Sequence, residues 1–271
     1  MIIFYIENRY ITNMESTEEV KLRNLRRFNA VMAAVHFLQG ILILVLSNNV
    51  TLPIKTYYLN FDTVTQSLVP TAQTLYDLPI APMIALFFFI CATDHFLLAG
   101  PLRKWYEENL RNHINKARWY EYALSASVMI VVVAMLVGIY EVVALMGVFA
   151  LTAVMNLFGL TMEQYNQKSE KVNWTSFIFG SFAGIVPWIG IAIYLAGAGS
   201  SSGGSVPDFV YWIFVSIGVF FFSFAINMVL QYKRVGKWKD YLYGEKVYII
   251  LSLVAKSLLA WQVFAGTLRP L

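Results

Sequence analysis

One lysine interrupts an otherwise uncharged and mostly apolar run. The run is YIILSLVAKSLLAWQVFAG, residues 248–266, and the lysine is Lys256. An ammonium at mid-bilayer depth costs at least about 2.5–3.5 kcal/mol on insertion scales. Snorkelling is the bland alternative, but a stem of four methylenes does not easily span the ~15 Å from mid-bilayer to the headgroups. A buried amine has a chemical use: burial keeps it from being protonated in advance, so it can add to an aldehyde as a Schiff base. Once protonated, that Schiff base is a cation in low dielectric and needs an anion nearby. Glu121, in KARWYEYALSASVMIVVV, is the candidate. The competing reading makes Glu121 an interfacial carboxylate paired with Arg118 one turn back.

Two histidines occupy the same half of the membrane. His36 is nine residues inside Arg27 and His95 eight inside Arg103, about 12–14 Å from those charges at helical rise. A structural role and a role in accepting a proton beside Glu121 are both open to them. The other half, VMIVVVAMLVG and LLAWQVFAG, has no acid; Glu141 stands at an outer turn. Ser125 and Ser252 are candidates to hydrogen-bond near the lysine nitrogen. Trp188, Phe220 and Phe224 are candidates to border a bound apolar group, or are packing residues. No Cys/His set has metal-site spacing, and there is no phosphate loop or nucleophile elbow. The residues therefore predict no metal and no enzyme activity. Cys91 is the only cysteine, so no internal disulfide can form.

These residues need seven helices to position them. The chain is 58% hydrophobic and only 13% charged over 271 residues, against ~25% charged in soluble domains. The composition predicts an all-α integral membrane protein. Spans of about 20 apolar residues fall at 25–46, 79–102, 174–196, 209–232 and 246–267. The run 117–162 is twice as long as one span needs, so it must fold back, with GIYE (138–141) as the turn. That predicts a seven-transmembrane-helix bundle over 25–268. A polar segment at 47–78 separates the first two spans, and its TLPIKTYYLNF favours strands, predicting a short β-hairpin in an extracellular loop. GAGSSSGGSVPD (197–208) reads as a flexible connection. Residues 1–24 form a cytoplasmic N-terminal segment, in which Met14 is a second candidate start.

Basic residues set the orientation. Of twenty Lys and Arg, seventeen lie on the N-terminal side of the bundle. Lys55 and Arg269 lie opposite, and Lys256 lies between. The positive-inside rule then predicts a multi-pass cell-membrane protein with a cytoplasmic N-terminus and an extracellular C-terminus. The +4 net charge reports this topology and gives no sign of a nucleic-acid partner.

Seven helices with one amine in the last point to a retinal protein. At this level the chain resembles the heliorhodopsins, the inverted relatives of microbial rhodopsins. LVAKSLLAWQVFAG, RWYEYALSASVMI and the long first outer loop carry the resemblance, which extends over about 22–267. It implies covalent all-trans retinal on Lys256 and Glu121 as sole counterion. It also implies a cytoplasmic-side polar cavity with His36 and His95, which we extend to Arg118, and a homodimer reached by the outer loop. Against the pumping rhodopsins, Ser252 replaces the acid four before the lysine, and Val132 replaces the second acid of the third helix. Tyr122 follows Glu121 where pumps usually have Trp, and Arg118 and Ser125 are retained. The pattern implies a light-sensing photoreceptor that signals to an unidentified cytoplasmic partner and does not pump. Two other classes stay open: a light-driven or light-gated ion transporter, and a non-retinal secondary transporter using a Lys–Glu pair. GSFAG (180–184) would let helices approach closely.

Overall fold

The computed structural model describes residues 2–167, 169, 171–200 and 207–270. Lys168, and positions 201–206 of the glycine- and serine-rich connection, lie outside the described residues, as does the side chain of Arg9.

The helices are α1 (Ile2–Leu46), α2 (Ile80–Ala99), α3 (Arg103–Arg111), α4 (Lys116–Leu136), α5 (Val142–Asn166), α6 (Thr175–Ser200), α7 (Asp208–Tyr232) and α8 (Tyr241–Val263). Among the described residues seven are long and apolar enough to cross a membrane. The chain is thus a multi-pass membrane protein with a seven-helix bundle. The segment before the first span is part of α1, which carries no Gly or Pro before Gly40 to stop it.

Polar punctuation sets the helix ends. Asn115 caps α4 by accepting from Arg118 N at 3.0 Å. Glu141 caps α5, accepting from Ala144 N at 2.7 Å. Between them Gly138 adopts φ +98°, a conformation that favours glycine, so the fold-back falls at the expected turn. Asp240 caps α8 through Leu242 N at 3.1 Å. This cap starts the last helix at Tyr241, ahead of the apolar run at 246.

The amphipathic α3 lies within the link after α2. It buries Tyr106 and Leu110 against Leu22, Leu25 and Leu98. Its nine residues are too few and too polar to register as a span.

The loop after α1 is an antiparallel hairpin of β1 (Thr51–Asp62) and β2 (Ser67–Pro79), registered Thr51↔Pro79 to Asp62↔Ser67 with a bulge at Ile54/Lys55. It docks on the α4–α5 turn through Lys55 N to Tyr140 O, 2.8 Å.

In the bundle α2 packs on α1 and α4, α5 on α4 and α6, and α8 on α7 and α1. The helix α4 is the most enclosed span, so its polar residues are placed inside protein. The GSFAG glycines bring α6 onto α5: a Cβ on Gly184 would lie 2.2 Å from Met155 Sδ. The core toward the hairpin is apolar, built from Val128–Met135, Ile191, Ile213, Leu259 and Val263.

Candidate functional site

Lys256 and Glu121 meet inside the bundle. Lys256 is 2% exposed and Glu121 8%, and Nζ lies 3.1 Å from Glu121 Oε1. The ammonium also donates to Ser252 Oγ at 2.7 Å, one turn earlier on α8. Tyr122 presents its ring 5.1 Å from Nζ and donates its hydroxyl to Tyr248 O at 3.0 Å. Ser125, one turn beyond Glu121 on α4, is fully buried. The buried lysine thus has an anion, a hydroxyl acceptor and an aromatic face, which together make its charge tolerable in low dielectric.

Lys256 lines a cavity of about 350 Å³, within the size range of small-molecule sites. Trp119, Tyr122, Met129, Trp188, Phe220 and Phe224 are among the side chains around it. All three sequence-selected aromatics therefore line it. Phe224 packs edge-on to Tyr122, centroids 5.4 Å apart. Gly159 lets the wall close, since a Cβ there would fall 2.2 Å from the Trp119 ring.

On the other side of Glu121 stand the histidines. His36 and His95 stack with centroids 5.5 Å apart and planes within 5°. His95 Nδ1 is 2.7 Å from Asn29 Oδ1. Neither ring nitrogen of His36 has a protein hydrogen-bond partner among the described residues.

Arg118 is elsewhere. Its guanidinium binds Glu163 of α5 and Glu245 of α8, leaving it out of the histidine group and out of reach as the partner of Glu121. The reason is chemical. Two buried carboxylates converge on one planar fork of donors, which also contacts the rings of Trp119 (4.5 Å) and Tyr248 (3.9 Å). Asn115 N and Trp119 Nε1 donate to Glu163 at 2.8 and 2.7 Å, and Asn115 Nδ2 donates to Glu245 at 2.7 Å.

Sequence reasoning missed Glu163, Glu245, Asn29 and the contact of Cys91 with Glu121, 2.8 Å from Sγ to Oε1. Both glutamates lie near span ends, where an acid normally meets water. The signal that pointed to them was Arg118 itself, a buried cation in need of anions.

Fold and site together define a seven-helix membrane protein with a buried cation–carboxylate pair whose lysine borders an apolar pocket. The family model described as Heliorhodopsin matches residues 25–268. The chain belongs to the heliorhodopsin family, a rhodopsin-type photoreceptor family for which a retinal chromophore is implied in general. No curated protein matches the chain.

Proposed function

We propose that this chain is a light-sensing photoreceptor that holds all-trans retinal as a Schiff base on Lys256, with Glu121 as counterion. One observation carries the proposal: the apolar, aromatic-lined cavity is bordered by a buried amine already paired to a carboxylate. Bound there, retinal supplies visible absorption and isomerisation about a double bond.

The chain's residues do the rest. Trp188, Phe220 and Phe224 give the pocket an apolar wall, and Glu121 neutralises the nitrogen of Lys256. Ser252 orients that nitrogen, while Tyr122 borders it and Ser125 flanks the counterion. His36 and His95 provide nitrogen acceptors beside Glu121 for a displaced proton. Loss or movement of that proton changes the charge balance among α1, α2, α4 and α8, a change that helix packing can transmit.

The output is a signal to a cytoplasmic partner with no ion pumped. This is supported by the apolar packing of Val128–Met135 against Leu259 and Val263, which offers no acid to relay a proton outward. The basic-residue asymmetry supports a cytoplasmic N-terminus. The projecting hairpin, with Tyr57, Leu59 and Phe61 exposed, is consistent with a homodimer.

The test is colour. All-trans retinal added to the purified protein produces a visible band, and Lys256→Ala abolishes it. Glu121→Gln moves the band to the red, because the negative charge stabilises the ground-state cation. Absence of a band in the unsubstituted protein refutes the retinal assignment and leaves a transporter built on the Lys–Glu pair. A light-driven pH change or photocurrent refutes signalling without transport.

A further inference from the structure

Cys91 is the only thiol in the chain, and nothing above uses it. It lies on α2, 1% exposed, one turn before His95. Its Sγ is 2.8 Å from Glu121 Oε1, the same oxygen that Lys256 Nζ approaches at 3.1 Å. An ionised carboxylate only accepts, whereas a thiol donates weakly, so the S–H proton points at Oε1. One oxygen of α4 thereby ties together α8, through the lysine, and α2, through the cysteine.

We propose that Cys91 is a positioning residue of the Lys256–Glu121 centre: its S–H holds Oε1 and draws carboxylate charge away from the lysine nitrogen. The optical consequence rests on the retinal reading; the hydrogen bond does not. A hydrogen bond to the charged form stabilises that form and shares its charge. Removing the donor leaves Glu121 acting more fully on the cation at Lys256, which widens the optical gap. A hydroxyl is a stronger donor than a thiol and narrows it. Mere packing by a small buried side chain has neither effect, because its role would survive any volume-conserving swap.

Infrared spectroscopy reads the bond directly, since one cysteine gives one S–H stretching band. In the retinal-free protein that band is expected at the lowered frequency of a bonded thiol. It should rise in Glu121→Gln, where the acceptor is neutral, and vanish in Cys91→Ala. In the retinal-loaded protein, Cys91→Ala should absorb to the blue of the unsubstituted protein and Cys91→Ser to the red. The S–H band should also shift on illumination. A free-thiol frequency that Glu121→Gln leaves unchanged overturns the proposal. So do Cys91→Ala and Cys91→Ser pigments with unshifted maxima. If the unsubstituted protein forms no pigment, the retinal assignment fails, while the retinal-free infrared spectrum still decides whether the thiol holds Glu121.

Discussion

Replacing Arg118 by methionine would leave two carboxylates buried without their cation. Arg118, Glu163 and Glu245 are 5%, 3% and 1% exposed, so solvent cannot compensate. Removing one partner of a buried ion pair typically costs about 3–5 kcal/mol. Two features place this site toward the upper end of that range. The guanidinium serves two carboxylates at once, and it packs against the rings of both Trp119 and Tyr248. The remaining donors, Asn115, Trp119, Gln231 and Tyr241, are neutral and cannot replace a charge. The expected loss is a factor of roughly 10²–10⁴ in the unfolding equilibrium constant. It can be read from detergent-driven unfolding in mixed micelles, followed by circular dichroism. Neutralising the acids as well, in Arg118→Met/Glu163→Gln/Glu245→Gln, should restore most of the stability, because burying neutral groups avoids the charge penalty. A single variant within about 1 kcal/mol of the unsubstituted protein would show that the acids do not depend on the guanidinium. A triple variant as unstable as the single one would show that shape, rather than charge, sets the cost.

Gly159→Ala should displace the Trp119 ring, whose atoms lie 2.2–2.5 Å from the added Cβ. Overpacking of this kind costs about 1–3 kcal/mol, and the same unfolding assay, together with tryptophan fluorescence, measures it. At the hairpin tip, Asp62 is held below its ordinary value, first by the Val64 amide and then by the Thr65 side chain. The contribution of its carboxylate to tip order is therefore present above the ordinary aspartate range and is lost as pH falls through the lowered value. Proton chemical shifts at Val64 should report that loss on acidification, and Asp62→Asn should remove the pH dependence; an unchanged titration in the variant would refute the assignment.

Periodicity and charge placement made the bundle legible. Apolar runs must cross or fold back, and Gly138 marks where one folds. The hairpin was legible because β-branched and aromatic residues crowd a polar loop. Lys256 and Glu121 could be paired because a lysine in mid-span demands an anion and Glu121 lies in the same half of the membrane, although depth alone left Arg118, one turn away, as a competing partner. Arg118 could not be assigned in this way. Its sequence neighbour is Glu121, but its spatial partners come from α5 and α8, 45 and 127 residues away. Helix position gives depth, whereas choosing among acids at similar depth needs the rotation of each helix about its axis. Cys91 was opaque for a related reason: composition shows a lone thiol, and only the facing of α2 toward α4 shows its acceptor.

The two buried ionic groups differ in a way that bears on the proposed signalling. Lys256 and Glu121 form a one-to-one pair with a weak thiol donor and a hydroxyl acceptor at its sides. Arg118 faces two acids whose oxygens also accept from Asn115, Trp119 and Gln231, with Tyr241 of α8 3.4 Å from Glu163. Moving one proton or one cation in the first group changes its balance at once. The second group has many donors in place and strongly resists rearrangement. Trp119 and Tyr248 touch both regions, lining the cavity and packing against the Arg118 guanidinium. On the proposed reading, a displacement in the pocket would press on the ionic joint of α4, α5 and α8, and a closely packed joint of this kind would pass the motion on as helix movement.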